Sequence, residues 1–178
     1  MNDEEYMEIA YQEALKALKH DDVPIGCIIV KDDQIIARAY NQREYLNQTY
    51  GHAEMLAIEE ACKKIERWRL DECTLYTTLE PCLMCSGAII QSHIQRVVYG
   101  ASDTRWMSLD KLIRLPDPKL NYIPMIQSDI LKDKCSKLIT VRVPRTISLI
   151  VDSLMPDICA SFFCVIFRSS NNSLTLSF

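Results

Sequence analysis

The sequence predicts an α/β fold, in which helices cover a sheet. Short apolar runs alternate with stretches of helical periodicity along most of the chain. The first two runs, at 25–30 and 35–40, are separated by a polar turn, which predicts an antiparallel hairpin. Between residues 73 and 100, a strand, a helix and a second strand follow one another. This order predicts a right-handed crossover between parallel strands.

The composition is ordinary for a globular domain. Of the 178 residues, 25% are charged and 48% are apolar, and this length can form one domain with a substantial core. The formal net charge of −4 provides no general attraction for nucleic acid, although a local basic patch can still bind it. The acidic first residues do not resemble a signal peptide, and no apolar run reaches the ~18 residues of a membrane span. We therefore expect a cytoplasmic protein without membrane segments.

The first half of the chain predicts a helix, the hairpin and a polar loop. Small and apolar residues at helical spacing cover Asp3 to Lys19. Gly26 stands in the first hairpin strand, which is typical of a close approach by backbone or ligand. The polar loop at 41–50 leads to a helix that begins at His52. The stripe predicted to be buried on this helix comprises Met55, Ile58, Cys62 and Ile65.

The second half predicts the crossover and several shorter elements. Residues 75–78 favour a strand, Pro81 suits a helix start, and residues 83–90 predict a buried helix. A strand follows at 96–100, a short helix at 108–114, a strand at 122–126 and a helix at 130–140. From Val141 onward, apolar residues lose any clear period and the end is rich in Ser and Asn. We therefore expect a domain at 1–140 and an atypical C-terminal tail at 141–178.

Four residues near two helix starts predict a metal site. Cys82 and Cys85 are three apart, so their thiols lie on the same side of a helix, whose dipole favours the metal-binding thiolates. His52 stands at the other helix start, and both starts are expected at the sheet edge where α/β folds have their sites. Three protein ligands are typical of a catalytic zinc, which retains a position for water. Glu54 can then reach that water as proton acceptor and donor.

Each part of this pattern has an ordinary alternative. A lone histidine is more often a core or surface residue, Glu54 alone would be a solvated helix residue, and a C-x-x-C pair can be structural or redox-active. A thioredoxin-like site would leave His52 and Glu54 without a role. The combination, in its strand–turn–helix context, therefore favours a zinc-dependent hydrolytic site. Most of the other six cysteines stand singly within apolar segments and are interpreted as buried small hydrophobic residues. His20 and His93 are interpreted as structural or surface residues.

The pattern H-x-E followed by P-C-x-x-C is the signature of zinc nucleobase deaminases, and the sequence resembles the bacterial tRNA-specific adenosine deaminases. The resemblance covers residues 4–103 well and residues 104–140 loosely, and it ends at Thr140. The similar segments are Val23–Gly26, Ala37–Asn41, His52–Met55, Trp68–Leu70, Thr74–Ile90 and Val97–Ala101.

This resemblance implies a cytidine-deaminase-like fold, a three-layer α/β/α sandwich around a mixed five-stranded sheet. It also implies a homodimer that binds one Zn²⁺ per subunit and deaminates adenosine to inosine at the wobble position of a tRNA anticodon stem-loop. By resemblance, His52, Cys82 and Cys85 are the zinc ligands and Glu54 is the catalytic proton carrier. Asn41 matches the family's asparagine after the second strand and is expected to bind the flipped base. The alternative for Asn41 is a residue that ends the strand in a turn.

Two other functions share these zinc ligands. A deaminase of free bases or nucleosides, of the guanine or cytosine type, would use the same ligands and Glu54. A non-catalytic zinc protein, such as an RNA-binding partner subunit, would use the ligands without Glu54. In a tRNA enzyme, the loops around 43–50 and 104–111 are expected to contact the flanking nucleotides. The candidates are Arg43, Arg105 and Lys111, against the alternative of ordinary surface charges.

The sequence departs from the family in three places. Residues 103–108 stand where the family has a glycine-rich segment, and Tyr122 occupies a position where histidine is common. The family's closing helix is not visible in the sequence after Thr140. Because that helix covers the core and contacts tRNA, this departure bears on both stability and RNA affinity.

Overall fold

A computed structural model describes residues 1–103, 108–113 and 122–140 of the chain. Its strands are β1 (Gly26–Lys31), β2 (Gln34–Tyr40), β3 (Thr74–Leu79), β4 (Arg96–Ala101) and β5 (Met125–Gln127). Its helices are α1 (Asp3–Ala17), α2 (Arg43–Leu46), α3 (Ala53–Ile65), α4 (Leu83–Gln91), α5 (Leu109–Ile113) and α6 (Lys132–Thr140). A turn of 3₁₀ helix, Leu18–His20, follows α1 directly.

The five strands form one mixed sheet in the order β2-β1-β3-β4-β5. Strand β1 is antiparallel to both β2 and β3, whereas β3, β4 and β5 run parallel to one another. The predicted hairpin, the parallel crossover through α4 and the mixed five-stranded sheet are therefore confirmed. The carboxyl end of β3 leads through Pro81 into α4, which fixes the edge of the sheet at which this helix begins.

Alternating residues of the central strands face two separate apolar cores. One set packs with α3 and α4, and it includes Cys27, Ile29, Leu75 and Val97. The other set packs with α1 and α6, and it includes Ile28, Val30, Tyr76 and Val98. Because both faces of the sheet are buried, apolar residues follow one another along β1 and β4 instead of alternating with polar residues. The described part of the chain is thus a three-layer α/β/α sandwich.

Helix α1 packs directly against the backbone of β1 at Gly26. A Cβ atom on Gly26 would overlap the carbonyl oxygen of Ala10 and the amide nitrogen of Ala14. The close approach predicted at this glycine is therefore one of backbone to backbone. The amide of Gly26 donates to the hydroxyl of Thr78 at 3.1 Å, which joins β1 to β3.

Two sequence predictions about local structure were wrong. The polar loop at 41–50 contains a short helix, α2, whose first turn donates two amide hydrogen bonds to the distant side chain of Asp22. The fully buried face of α3 consists of small residues, Ala53, Ala57 and Ala61, instead of the predicted stripe of larger side chains. In that stripe, Ile58, Cys62 and Ile65 pack against the core from the flank and Met55 is partly exposed. Small side chains let α3 approach the sheet closely, and a search for large apolar residues misses this arrangement.

The predicted C-terminal elements up to residue 140 are present as α5, β5 and α6. The predicted tail at 141–178 and Arg105 lie outside the described residues. Within the described ranges, no helix has both the length and the apolar character needed to cross a membrane.

Candidate metal centre

Two of the predicted ligands are N-cap residues, which precede the first helical residue. His52 caps α3 and Cys82 caps α4, and both have extended backbone conformations (φ −74° and ψ 147°, φ −69° and ψ 174°). Neither side chain makes the usual N-cap hydrogen bond to its own helix. The imidazole and the thiol are therefore available to a ligand, next to helix N-termini that favour negative charge.

The three predicted ligand side chains meet at one point. The Nδ1 atom of His52 lies 3.6 Å from the Sγ atom of Cys82 and 3.5 Å from that of Cys85. The two sulfur atoms are 3.6 Å apart. This nearly equilateral triangle is the only cluster of metal-binding size found among the described residues.

The triangle fits a tetrahedral zinc ion. With Zn–S distances of about 2.3 Å and Zn–N distances of about 2.0 Å, tetrahedral angles separate two sulfurs by about 3.8 Å and sulfur from nitrogen by about 3.5 Å. The observed separations lie within about 0.2 Å of both values. Cys85 is buried, whereas His52 and Cys82 are partly exposed, so the cluster is reached from one side.

The two thiols have opposite pKa shifts. Hydrogen bonding with Cys85 and with His52 lowers the pKa of Cys82 to about 4. The same contact with Cys82, together with burial, raises the pKa of Cys85. The hydrogen bond with Cys82 also raises the pKa of His52. Because thiolates and neutral imidazole are the metal-binding forms, a divalent cation must displace the protons that this cluster holds.

Glu54 is a buried carboxylate in the first turn of α3, two residues after His52. Its side chain is 3% exposed, and its Oε2 atom has no hydrogen-bond partner among the described residues. Burial raises the pKa of Glu54 to about 7. A buried carboxylate oxygen without a partner is unusual, since most buried polar atoms are hydrogen-bonded. An atom of this kind beside a metal cluster can accept a proton from a bound molecule.

Asn41 follows β2 and is brought close to His52 by the chain that joins them. The amide of Gln42 donates to the carbonyl of Gly51 at 2.8 Å, so the two ends of the loop are paired. The side chain of Asn41 is buried, and its Nδ2 atom donates to the carbonyl of Val23 at 3.2 Å. The structure thus brings the predicted substrate residue to the start of α3.

Two buried carboxylates near the site were missed by sequence reasoning. Asp22 is fully buried and accepts the amides of Glu44 and Tyr45, at the start of α2. Glu80 is 5% exposed and accepts the amides of Asp103 and Asp110. The partners in these bonds are backbone N–H groups, which every residue except proline carries, so the sequence contains no signal of the pairing.

Glu80 joins the segment after β4 to the start of α4. The Asp103 amide lies 3.0 Å from its Oε2 atom, and the Asp110 amide lies 3.2 Å from its Oε1 atom. The neighbouring Pro81 accepts the amide of Leu109, and Cys82 pairs with Ser108 in an isolated β-bridge. Residues 80–82 therefore hold the metal ligand Cys82 against the first turn of α5.

The remaining predicted residues are dispersed. Arg43 and Lys111 are exposed, which suits either RNA contact or ordinary surface charge. The ring of His20 packs against that of Tyr45 at a centroid distance of 4.0 Å and a tilt of 35°, and His93 contacts Arg69, so both interpretations as structural or surface residues agree with the structure. Of the cysteines outside the metal cluster that the structure describes, Cys27, Cys73 and Cys135 are buried and Cys62 is partly buried.

Comparisons with known proteins identify this arrangement. Residues 1–101 match the family described as the cytidine and deoxycytidylate deaminase zinc-binding region. The tRNA-specific adenosine deaminase of Bacillus subtilis (strain 168) is 42% identical over 139 residues, which cover 78% of this chain and 86% of that protein. The matched zinc-binding region contains the three clustered ligands, so the predicted zinc cofactor is confirmed.

Solved structures give the same result for the fold. A structure from biochemical and structural studies of A-to-I editing by tRNA:A34 deaminases at the wobble position is 36% identical, with a TM-score of 0.71, and covers 75% of this chain and 98% of that one. An X-ray structure of guanine deaminase from Bacillus subtilis is 27% identical, with a TM-score of 0.57, and covers 98% and 99% of the two chains. The predicted cytidine-deaminase-like fold is confirmed. The chain belongs to the cytidine and deoxycytidylate deaminase family and, within it, to the tRNA-specific adenosine deaminases.

Proposed function

We propose that this protein deaminates adenosine to inosine hydrolytically at the wobble position of a tRNA anticodon. The observation that carries the proposal is the triangle of His52, Cys82 and Cys85 together with the buried carboxylate of Glu54, whose Oε2 atom has no hydrogen-bond partner among the described residues. The relative in Bacillus subtilis is a tRNA-specific adenosine deaminase, and the 36% identical structure belongs to studies of tRNA:A34 deaminases. Both likenesses favour tRNA over a free base as substrate.

His52, Cys82 and Cys85 would hold the zinc ion, and three protein ligands are the number typical of a catalytic zinc. When bound, zinc supplies Lewis-acid activation of a water molecule. The donor set suits this metal, since two thiolates and an imidazole are typical ligands of zinc.

Glu54 moves the protons of the reaction. Its carboxylate accepts a proton from the attacking water and delivers it to the ring nitrogen beside C6 of adenine. The same carboxylate then transfers the second proton of that water to the departing amino group, which leaves as ammonia. The oxygen of the water remains on C6. The burial of Glu54 and the lack of a partner for its Oε2 atom support this role, because no described side chain competes for that oxygen.

The substrate base reaches this site by leaving its stack. Flipping a base costs a few kcal/mol in a duplex and less in an anticodon loop, whose bases are unpaired. Asn41 is proposed to hydrogen-bond the flipped nucleotide. Arg43 and Lys111 are proposed to contact the flanking phosphates, and their exposure on segments next to Asn41 and Cys82 supports this role.

We also propose that the protein is a homodimer and that it acts in the cytoplasm. Leu83 on α4 is 52% exposed, and a Cβ atom on Gly87 of the same helix would meet nothing within 4 Å. The open space at Gly87, one turn from Leu83, lets a second chain pack closely against α4 at this point. Light scattering should give twice the chain mass of 20.5 kDa, and a mass of one chain would contradict the dimer.

The function is tested by incubating the zinc-loaded protein with tRNA-Arg and digesting the RNA for mass analysis. We expect inosine at the wobble position. Glu54→Ala should retain zinc but lower turnover by about 10²- to 10⁴-fold, the usual contribution of a general acid–base residue. Glu59→Ala is the matched control, because Glu59 lies on the same helix and is exposed.

The competing functions give different results in the same experiment. Consumption of guanine or cytosine without any inosine in tRNA would favour a free-base deaminase, the function of the 27% identical Bacillus subtilis protein. If Glu54→Ala left both zinc content and turnover unchanged, the carboxylate would have no catalytic role. Zinc binding without turnover of any of these substrates would favour a non-catalytic partner subunit.

A further inference from the structure

Asp22 is a fully buried carboxylate that accepts hydrogen bonds from the segment between β2 and His52. It lies between the 3₁₀ turn and β1, and its side chain has no solvent exposure. Its Oδ1 atom accepts the amide of Glu44 at 2.8 Å, and its Oδ2 atom accepts the amide of Tyr45 at 3.0 Å. Burial of a charged group requires such partners, because an isolated charge is costly to remove from water. The carboxylate therefore holds the first turn of α2 in place.

The same carboxylate also contacts the side chain of Asn41. The Nδ2 atom of Asn41 donates to Asp22 Oδ1 at 3.4 Å and to the carbonyl of Val23 at 3.2 Å. A carboxylate and a carbonyl can only accept hydrogen bonds, so the amide nitrogen, not the amide oxygen, must face them. The side-chain oxygen of Asn41 is the atom that remains for a ligand.

The loop that Asp22 holds is joined to the metal cluster at its other end. The amide of Gln42 donates to the carbonyl of Gly51, whose next residue is the ligand His52. A Cβ atom on Gly51 would lie 2.9 Å from the Cα atom of Arg43, so the two ends of the loop touch without space for a larger residue. Asp22 is thus linked to the site through Asn41 and through α2, and its side-chain hydrogen bonds among the described residues go to Asn41, Glu44 and Tyr45.

We propose that Asp22 is a positioning residue for the substrate. It orients Asn41 so that the Oδ1 atom of Asn41 accepts a hydrogen bond from the flipped nucleoside. The matching donor is an N–H or O–H group, either the exocyclic amino group of the base or the ribose 2′-hydroxyl. This inference rests on the proposed function, since it assigns the orientation of a group within the proposed substrate site.

The first test is the isosteric substitution Asp22→Asn. Asparagine retains one oxygen to cap α2, but its amide group can no longer accept from all three donors, so Asn41 loses its fixed orientation. We expect KM for an anticodon stem-loop to rise about ten-fold, with kcat changed less than three-fold and one zinc still bound per chain. Asp32→Asn, in the exposed turn between β1 and β2, should match the wild type.

A double-substitution cycle separates positioning from a general structural role. If Asp22 acts through Asn41, then Asp22→Asn should change KM less than two-fold in a protein that already carries Asn41→Ala. If the two effects multiplied, Asp22 would act independently of Asn41 and the proposal would be wrong. A stem-loop with 2′-deoxyadenosine at the wobble position distinguishes the donors. If Asp22→Asn no longer raises KM on this substrate, the donor to Asn41 is the 2′-hydroxyl. If the rise in KM persists, the donor is the amino group.

Hydrogen exchange of the side-chain amide gives a measurement that needs no turnover. In the zinc-loaded wild type, the Nδ2 protons of Asn41 should exchange at least ten-fold more slowly than those of Asn47, which is exposed. Equal exchange rates would overturn the proposal even if Asp22→Asn did not fold. A wild type that makes no inosine would refute the proposed function alone, because the exchange comparison would still confirm or refute the orientation of Asn41.

Discussion

The metal cluster and the segments around it are organised in different ways. In the cluster, His52, Cys82 and Cys85 are recognisable because only a few residue types bind zinc. In the surrounding segments, Asp22 and Glu80 accept backbone amides that lie 22 to 30 residues further along the chain. Every residue in those segments except proline could have supplied such an amide. The residue types in the sequence therefore indicate the chemistry of this site, whereas the placement of its loops depends on the folded backbone.

This difference predicts that substitutions in the two regions have different effects. Substitutions in the metal cluster should abolish zinc binding and turnover together. Substitutions of the buried carboxylates should leave zinc bound and alter stability or substrate affinity instead. If a substitution of Glu80 or Asp22 lowered the zinc content, the two regions would not be separable. Zinc content is therefore measured for variants of both regions.

The largest effect is expected for Cys82→Ala. It removes one of three ligands, so bound zinc after dialysis against a weak chelator should fall from about one per chain to well below half. Deamination should become undetectable, because the remaining pair of ligands does not complete the site. Cys62→Ala is the matched control, since Cys62 lies on α3 outside the cluster. Elemental analysis decides the outcome, and full zinc content in Cys82→Ala would exclude this thiol as a ligand.

A smaller effect is expected for Glu80→Gln. Glutamine has one side-chain acceptor, so either the amide of Asp103 or that of Asp110 loses its partner within a buried region. The loss should cost about 1–3 kcal/mol and lower Tm by about 3–10 °C, with zinc content unchanged. Glu72→Gln is the control, because the side chain of Glu72 is 73% exposed and its ion pair with Lys31 contributes little. Equal melting temperatures for the two variants would show that the buried bonds of Glu80 contribute nothing measurable.

Much of the fold could be predicted from the sequence, because it is encoded in local periodicity. Strands β1 to β4 and helices α1, α3 and α4 lie within about two residues of their predicted bounds, and the ligand triangle was predicted from residue type and helix position. The face of α3 was predicted wrongly, because its alanines are buried by the closeness of the sheet and not by their own hydrophobicity. Helix α2 was missed because four residues rarely form a helix alone, and Asp22 supplies its cap from outside.

The smallest effect is expected at a long-range carboxylate that remains partly in water. Asp3, at the start of α1, forms two hydrogen bonds with Arg96 of β4 at 2.9 and 2.6 Å and accepts the hydroxyl of Tyr76 at 2.9 Å. The hydrogen bond with Arg96 lowers the pKa of Asp3 below 3.8 in the folded protein. Its contribution to stability is therefore present above the unfolded pKa, near pH 4, and is lost as the pH falls through the folded pKa.

Asp3→Asn should lower the free energy of unfolding by about 1 kcal/mol at pH 7, since the pair is partly exposed to solvent. The difference from the wild type should shrink below pH 4, where protonation of Asp3 removes the same interaction. Glu4→Gln is the control, because Glu4 is an exposed acid in the same first turn and shares only the helix dipole. Urea unfolding at pH 7 and near pH 3 measures both differences. If Asp3→Asn and Glu80→Gln lowered the free energy of unfolding equally, burial would not explain the effect of Glu80. The long sequence separation of the contacts, which both carboxylates share, would then account for both losses.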